Sequence, residues 1–458
     1  MEFDLTEIKK VHFIGIGGIS MSALADILLS RGFAVSGSDF KESDMTRQLS
    51  QKGAEIFIGQ RASNITPDID LVVYTAAIRD DNPELIRVRE LKIPLLTRAD
   101  FLGLLMKHYD IPICISGTHG KTTTTSLITQ IFLDAGKDPT VMVGGMLPSI
   151  GGNLKTGSSG YFITEACEYT NSFLSFFPKI EVILNVKADH LDFFKDIDDI
   201  RHSFREYVKL LPEDGALIIN GQIEELSYFT DAAKCPVITF GLTDECDYTA
   251  KNISYSGSAC GEYDLYKKGK YVCRAALSIP GEHNVSNSLS ALAAADLCGI
   301  GLEEAALSLG RFKGVDRRFQ VLGKIKGVTV IDDYAHHPDE ISATLSAAKA
   351  LPHKRIFLVF QPHTYSRTKA LMDEFAKALS AADVIILPDI YAAREKDDLG
   401  ISSLTLRQKI LELNKECYYF STFDEIENFL LENCKPKDLL ITMGAGDVDI
   451  IGKKLLGK

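Results

Sequence analysis

The sequence predicts an α/β protein of three successive domains, each built on a mostly parallel sheet with crossover helices. Three observations carry this. The chain has 458 residues, too many for one hydrophobic core and enough for two to four. Apolar runs of strand length alternate with helix-length stretches, as in βαβ units. The alternation also restarts twice, near residue 111 and after GVDRRF at 314–319.

The first block reads VHFIGIGG from residue 11, a helical stretch to Ser30, FAVSGSD, a second helix, and then the short strands EIFIG, LVVYTAA and IPLLT. The second opens with IPICISG at 111 and continues through YFITEA, EVILNV and ALIIN. Between Asp247 and Pro280 the pattern changes to short polar and aromatic runs, which predict a small antiparallel sheet serving as a lid or side sheet. The third block has KGVTVIDDY, RIFLVFQP, ADVIILPDIY, CYYFST and DLLITMGAG, each followed by a helical stretch. The expected domains are 1–108, 109–318 and 319–458.

Composition narrows the function classes. At 45% hydrophobic and 24% charged the chain is globular. It contains no apolar run of about 18 residues and its opening MEFDLTEIKK has no apolar signal core, so a cytoplasmic protein without membrane contact is expected. Nine scattered cysteines, none in a CxxC pair, predict neither disulfides nor structural zinc. A formal charge of −12 argues against nucleic acid as a partner. Anionic ligands must be met locally, by helix N-termini, glycine turns and single basic residues.

ISGTHGKTTTT at 115–125 has the chemistry of a phosphate-binding turn. Gly117 and Gly120 allow backbone N–H groups to approach phosphate oxygens, Thr118 and Thr123 sit on the same turn, Lys121 supplies a point charge, and the Thr122 hydroxyl can ligate Mg²⁺. The spacing is GxxGKT, shorter than the common GxxxxGK[ST]; the bland alternative is a helix cap with an incidental lysine. Glu165 after YFIT and His190 in NVKADH both fall at C-terminal strand ends, the ligand edge of a doubly wound sheet, where they can meet an ion held by Thr122. Singly, each reads equally as a helix cap or a structural histidine.

The other blocks have their own strand-end motifs. GIGGIS at 15–20 places Gly15, Gly17 and Gly18 between a strand and a helix, with Ser38 and Asp39 about twenty residues on, where a ribose-recognising acid sits in Rossmann-like domains. A dinucleotide or a nucleotide diphosphate suits such a turn. In the third block IDDYAHHP at 331–338 and FQPHTYSR at 360–367 bring Asp333, His336, His337, His363 and Arg367 to strand ends.

GTHGKTTTT, EACE, NVKADHLD, PGEHNVSN at 280–287, GVDRRF and IDDYAHHP, in this order across nearly the whole chain, resemble the Mur ligase family. The resemblance implies a Rossmann-like first domain for a UDP-sugar, a central P-loop-type ATPase domain, and a Rossmann-like C-terminal domain that closes over ATP and an amino acid. It implies ATP and Mg²⁺ as cofactors, one or two ions being expected, and an acyl phosphate as intermediate. By the same resemblance Lys121 grips phosphate, Glu165 and His190 are metal-linked, Asn284 and Asn287 lie by the adenine, Arg318 reaches the nucleotide and Asp333 the ribose. His336, His337 and Arg367 lie near the acyl phosphate and the amino acid, so that Lys121, Glu165, His190, His337 and Arg367 form the catalytic set. HFIGIGGISMSALA and SGSD are similar to members that join L-alanine to UDP-N-acetylmuramate; the alternative is the sister reaction with a recycled tripeptide. Two departures stand out, Cys167 where many members carry Asp and Thr364 where many carry Arg. Cys167 is a poor Mg²⁺ ligand, which leaves Glu165 with Glu168 as second candidate; Thr364 leaves Arg367 as the charge for the substrate or its phosphate. Rivals from other classes are an NAD-dependent oxidoreductase using GIGGIS and a nucleotide-gated binding module without chemistry. Oligomeric state is left open.

Overall fold

The computed structural model describes residues 8–458 except 76, 77, 192, 256, 258, 394 and 398. Residues 1–7 of the N-terminal segment read against a signal peptide and the last two residues of LVVYTAA therefore lie outside the described residues.

The apolar runs of the first block form a five-stranded parallel sheet in the order Glu55–Ile58, Ala34–Asp39, Lys10–Ile14, Leu71–Tyr74, Leu95–Thr97. Lys10–Ile14 is central and the chain runs outward from it in both directions, so the turn that follows it sits at the topological switch point, the usual ligand crevice.

The second sheet has ten strands. Its parallel centre runs Val237–Gly241, Ala216–Asn220, Ile180–Ile183, Ile111–Ser116, Tyr161–Glu165, Thr140–Leu147, with Gly152–Lys155 antiparallel at one edge. Ile113, Ile115, Val182 and Ile218 are fully buried, as expected of strands covered on both faces. Helices Lys121–Asp134 and His283–Leu297 pack on each other over one face, the second through a run of buried alanines that lets backbones approach closely. Beyond the other face Phe173 stacks on Tyr207 of helix Ile197–Val208, ring centroids 4.3 Å apart. The antiparallel elements predicted after Asp247 are Tyr248–Tyr255, Cys260–Lys267 and Lys270–Pro280, but they are not a separate sheet: Phe240 and Gly241 pair in parallel with Tyr248 and Thr249, so the ribbon extends the central sheet. Unpaired N–H and C=O groups on an edge strand make that continuation favourable.

The third sheet runs Gln320–Ile325, Val328–Asp333, Leu439–Met443, Ile356–Phe360, Val384–Leu387, Glu416–Tyr419, parallel but for its first strand. Leu439–Met443 lies between Val328–Asp333 and Ile356–Phe360, which puts the ends of IDDYAHHP and FQPHTYSR on either side of one strand. The first and second sheets meet where Gly103, on helix Arg98–Met106, lies against the Ser175 carbonyl; a Cβ there would be 1.9 Å from that oxygen, so only glycine fits. Among the described residues no helix is long and apolar enough to cross a membrane. All nine cysteines are free.

Candidate active site

Ile111–Ser116 occupies the middle of the second sheet, and the turn that follows it is shaped by sterics. Gly117 has φ +129° and Gly120 has φ +88°, the left-handed region that L side chains avoid. Space forbids a side chain as well: a Cβ on Gly117 would lie 3.1 Å from the Asn185 nitrogen, and one on Gly120 2.9 Å from Asn287 Oδ1. Asn185 clasps the turn, accepting the His119 N–H at 2.9 Å and donating from Nδ2 to the His119 carbonyl at 2.9 Å. The turn then feeds helix Lys121–Asp134, whose first N–H groups and dipole favour an anion at its start.

Lys121 donates to the carbonyls of Gly117 and Thr118 and to Glu168 Oε2 at 3.1 Å. Burial works against its charge, but the Glu168 carboxylate, with Cys167 and Glu165 close by, holds the ammonium above its ordinary pKa. Glu165 ends the strand beside the turn and accepts the Gly144 N–H at 2.6 Å. Gly144 lies against the Glu165 carboxylate and Gly145 against the Val315 side chain and the Thr122 methyl, so the Glu165 and Thr122 side chains flank one glycine step. Thr122 Oγ1 also lies 3.5 Å from Arg318 Nη2, in the segment that leads into the third sheet. Burial pushes the Cys167 thiol up, with Glu168 adding to the effect, so a thiolate is disfavoured there.

Two cavities open from this edge. The first, about 310 Å³, is lined by His119, Gly120 and Thr123 of the turn and its helix, by Asn284 and Asn287, and by Arg318, Asp333, Asp339 and Glu340. It gathers residues of the expected nucleotide site that are far apart in sequence. Asn287 Nδ2 donates to Asn284 Oδ1 at 3.0 Å, and Asn284 Nδ2 to the Pro280 carbonyl at 2.7 Å, which fixes both amides. Arg318 lies over the Tyr334 ring at 5.2 Å. Both Asp333 oxygens accept backbone N–H groups, from Phe319 at 2.7 Å and Ala335 at 2.8 Å, while burial lifts its pKa to about 6 against the pull of Arg318. Asp333 thus braces the linker as well as facing the cavity.

The second cavity, about 500 Å³, is lined by Tyr169, Asp189, His190, His363, Thr364, Arg367 and Glu395 among others. His190 has φ +53° and stacks on Tyr169 with centroids 4.5 Å apart. Burial lowers its pKa, although Asp189 pulls the other way. Arg367 reaches Asp189 at 3.3 Å. Burial opposes the Asp189 charge, but His190 and Arg367 hold its carboxyl well below the usual range. Thr364 has φ +66°, an unfavourable backbone for a β-branched residue, and this strained position faces the cavity. Glu395 accepts the Ser366 N–H at 2.9 Å.

Of the remaining expected residues, His337 caps helix Pro338–Lys349 and its ring lies 4.8 Å from that of His119. His336 is half-buried against Glu340, whose Oε2 accepts the His336 N–H at 3.0 Å while Oε1 lies 3.3 Å from His119 Nδ1. Burial works against the Glu340 charge, but His336, His119 and Arg318 hold its carboxyl well below the ordinary range. In the first sheet Gly15 and Ile16 donate to the Ser38 carbonyl at 2.8 and 3.0 Å, and Gly17 donates to Asp39 Oδ2 at 2.9 Å. The Ser38 side chain departs from the expected ligand role: it is fully buried, and its hydroxyl donates to Glu84 at 2.6 Å, leaving Asp39 and the glycine backbone to face the crevice. This turn stands apart from the two cavities, and its helix is tied to the edge of the second sheet through the Asn153 amide, which donates to the Ile19 carbonyl at 3.2 Å. Asn185, Asp189, Glu340 and Glu395 were not singled out from sequence. Asn185 and Asp189 lie within NVKADH, where strand-end polarity was the available signal; Glu340 and Glu395 had none beyond their charge.

Three α/β sheets and a lysine-bearing glycine turn at the ligand edge of the middle one define a protein of the phosphate-binding-turn class. The chain belongs to the Mur ligase family: residues 10–110 match the description "Mur ligase family, catalytic domain", 115–295 "Mur ligase middle domain", and 317–446 "Mur ligase, glutamate ligase domain". It is 54% identical, over all of both chains, to a UDP-N-acetylmuramate--L-alanine ligase of Agathobacter rectalis. The crystal structure of UDP-N-acetylmuramate-alanine ligase from Thermotoga maritima superposes with a TM-score of 0.82 at 31% identity, 98% of each chain being covered. That of a murein peptide ligase from Psychrobacter arcticus superposes at 0.74 with 25% identity and the same coverage.

Proposed function

We propose that the protein joins L-alanine to the carboxylate of UDP-N-acetylmuramate at the expense of ATP, giving UDP-N-acetylmuramoyl-L-alanine, ADP and phosphate, a step in peptidoglycan precursor synthesis. One observation carries this reading: the loop after Ile180–Ile183 contributes Asn185 and Lys187 to the first cavity and Asp189 and His190 to the second, beside the phosphate turn. A nucleotide on one side and an acceptor on the other would meet at that loop, as phosphoryl transfer requires. The name of the Agathobacter rectalis relative and the higher superposition on the alanine ligase support alanine over a recycled tripeptide.

In this reading 1–108 holds the UDP portion through Gly15, Gly17, Gly18 and Asp39, 109–318 binds ATP, and 319–458 closes over the reacting groups. The nucleotide occupies the first cavity, its base near Asn284 and Asn287 and its phosphates on the amides of Gly117–Thr123. A carboxylate is unreactive towards an amine because its oxygen is a poor leaving group; transfer of the γ-phosphoryl to it makes a mixed anhydride. Lys121, released from Glu168, neutralises charge building on the transferring oxygens. The amine of alanine, held in the second cavity near Arg367 and His190, then attacks the acyl carbon and phosphate leaves. His337 and the closed third block exclude water from the acyl phosphate. Thr122 and Glu165 suit Mg²⁺, being hard oxygen donors on one glycine step with a Glu165 oxygen not engaged among the described residues, and His190 approaches from the second cavity. When bound, the ion supplies Lewis-acid charge at the β- and γ-phosphates. Nine free cysteines suit a reducing compartment, the cytoplasm.

The test is phosphate release with ATP and Mg²⁺, adding UDP-N-acetylmuramate and L-alanine singly and together. Release that needs both, with a UDP-muramyl-alanine mass, is expected. Release with a tripeptide but not alanine overturns the substrate assignment, and no release overturns the activity.

A further inference from the structure

We infer that His119, His337 and Asp339 form a site for a nitrogen-seeking divalent ion such as zinc, which ties the phosphate turn to the third sheet's helix Pro338–Lys349. Each side chain offers a donor atom, and the three donors lie within 4.8 Å of one another. Around tetrahedral zinc, with bonds of about 2.0–2.1 Å, donors sit about 3.4 Å apart. Rotation of the exposed Asp339 side chain and a tilt of the rings closes the difference, and water completes the four ligands.

The surroundings are those of a ligand set. Both ring nitrogens of His119 and Nε2 of His337 are buried without hydrogen-bond partners, an unfavourable state that an ion relieves. Glu340 Oε1 stands 3.3 Å from His119 Nδ1. The carboxylate charge beside Nδ1 favours the proton on that nitrogen, which leaves the Nε2 lone pair for metal. Glu340 is itself held by the His336 N–H at 3.0 Å. His337 Nδ1 accepts a 3.3 Å contact from the Asp339 N–H. Binding through either ring nitrogen gives that long contact up.

The donor set distinguishes this site from the oxygen-rich pair Thr122 and Glu165, because imidazole selects zinc, cobalt or nickel over magnesium. His119 and Asp339 also line the first cavity, so an ion bound there occupies its wall and opposes a nucleotide.

The experiment is a zinc titration of the full chain without nucleotide, against a chromogenic chelator, with Asp339→Asn and His337→Gln in parallel, followed by the cobalt absorption spectrum. One zinc per chain is expected, weakened roughly tenfold or more in each variant, with a tetrahedral cobalt spectrum free of sulfur-to-cobalt charge transfer. Absence of stoichiometric zinc, unchanged affinity in the variants, or a sulfur band placing the ion on cysteine overturns the site. Should His337→Gln fail to fold, Asp339→Asn decides the matter, since its carboxylate is at the surface. The readout involves no turnover, so its failure is separate from failure of the ligase reading.

Discussion

Replacing Asn185 by Ala tests whether the phosphate turn is held in shape from outside. The side chain makes two hydrogen bonds to His119, one as acceptor and one as donor, both 2.9 Å. Each is worth about 0.5–1.5 kcal/mol net, so the pair contributes about 2 kcal/mol. Gly117 and Gly120 have positive φ and lack side chains to restrain them, and the internal restraint from Lys121 to the Gly117 and Thr118 carbonyls is given up when the ammonium turns to a phosphate. The Thr118 N–H bond to the Asn185 carbonyl survives the substitution, so the loop stays attached but loosens. If the 2 kcal/mol falls on nucleotide binding, affinity drops about 30-fold, since 1.4 kcal/mol is tenfold. The assay is KM for ATP in phosphate release at saturating UDP-N-acetylmuramate and L-alanine, with equilibrium ATP binding alongside. A rise of about 10- to 100-fold is expected with a thermal midpoint little changed. A KM within twofold of the parent would refute the bracing role and leave Asn185 a bystander.

Lys121→Ala should abolish acyl-phosphate formation while the protein still folds, because the ammonium has no substitute beside Glu168; trapping the intermediate from a single turnover checks this. His190→Ala should raise the Mg²⁺ midpoint of phosphate release, and an unchanged midpoint would return His190 to a structural role. Gly103→Ala, which sets a Cβ 1.9 Å from the Ser175 oxygen, should lower stability by about 1–3 kcal/mol as overpacking does, measured by denaturant titration. Glu181 is fully buried in strand Ile180–Ile183 with neither carboxyl oxygen partnered, and burial raises its pKa well above the ordinary value. The neutral form is favoured in the fold, so its contribution is complete below the unfolded pKa and lost as pH rises through the folded one. Glu181→Gln should therefore flatten the decline of thermal midpoint on the alkaline side of about pH 4–5, and an unchanged slope would count against it.

Much of this was legible because buried parallel strands leave continuous apolar runs, and every strand read from VHFIG, IPICIS, EVIL and RIFLVF is present. The turn at 117–123 was legible for a related reason, since left-handed backbone selects glycine and phosphate selects lysine. Four strands escaped notice: Gly152–Lys155 and Gln320–Ile325, antiparallel edges in which polar residues and glycine break the apolar run, and the parallel strands Thr140–Leu147 and Val237–Gly241. The ribbon after Asp247 was recognised, but its pairing with Val237–Gly241 was not, because register between distant strands is a tertiary choice. Ser38 was read as facing a ligand, whereas its hydroxyl is needed by the buried Glu84, a partner 46 residues away. Glu340 shows the converse limit. In the sequence it is an ordinary acid in the first turn of a helix, and only folding sets it between His119 and His336.

Those late-found groups explain how a chain of net charge −12 presents an anion site. Strong cations at the crevice are met within the protein: Lys121 by Glu168 and Arg367 by Asp189, with Glu340 beside His119, while Arg318 leans on the Thr122 hydroxyl and the Tyr334 ring. Three of these contacts, those of Arg367, His119 and Arg318, also cross between the second and third sheets. A phosphate that draws a cation away from its carboxylate therefore loosens one inter-sheet contact as it makes another, and the favourable exchange is the one in which the ligand itself spans both sides. Binding and closure are in this way the same event. A fragment that touches only one side, such as inorganic phosphate, gains the exchange without the bridge, and on this argument binds weakly where ATP, reaching from Gly120 to Arg318, binds well.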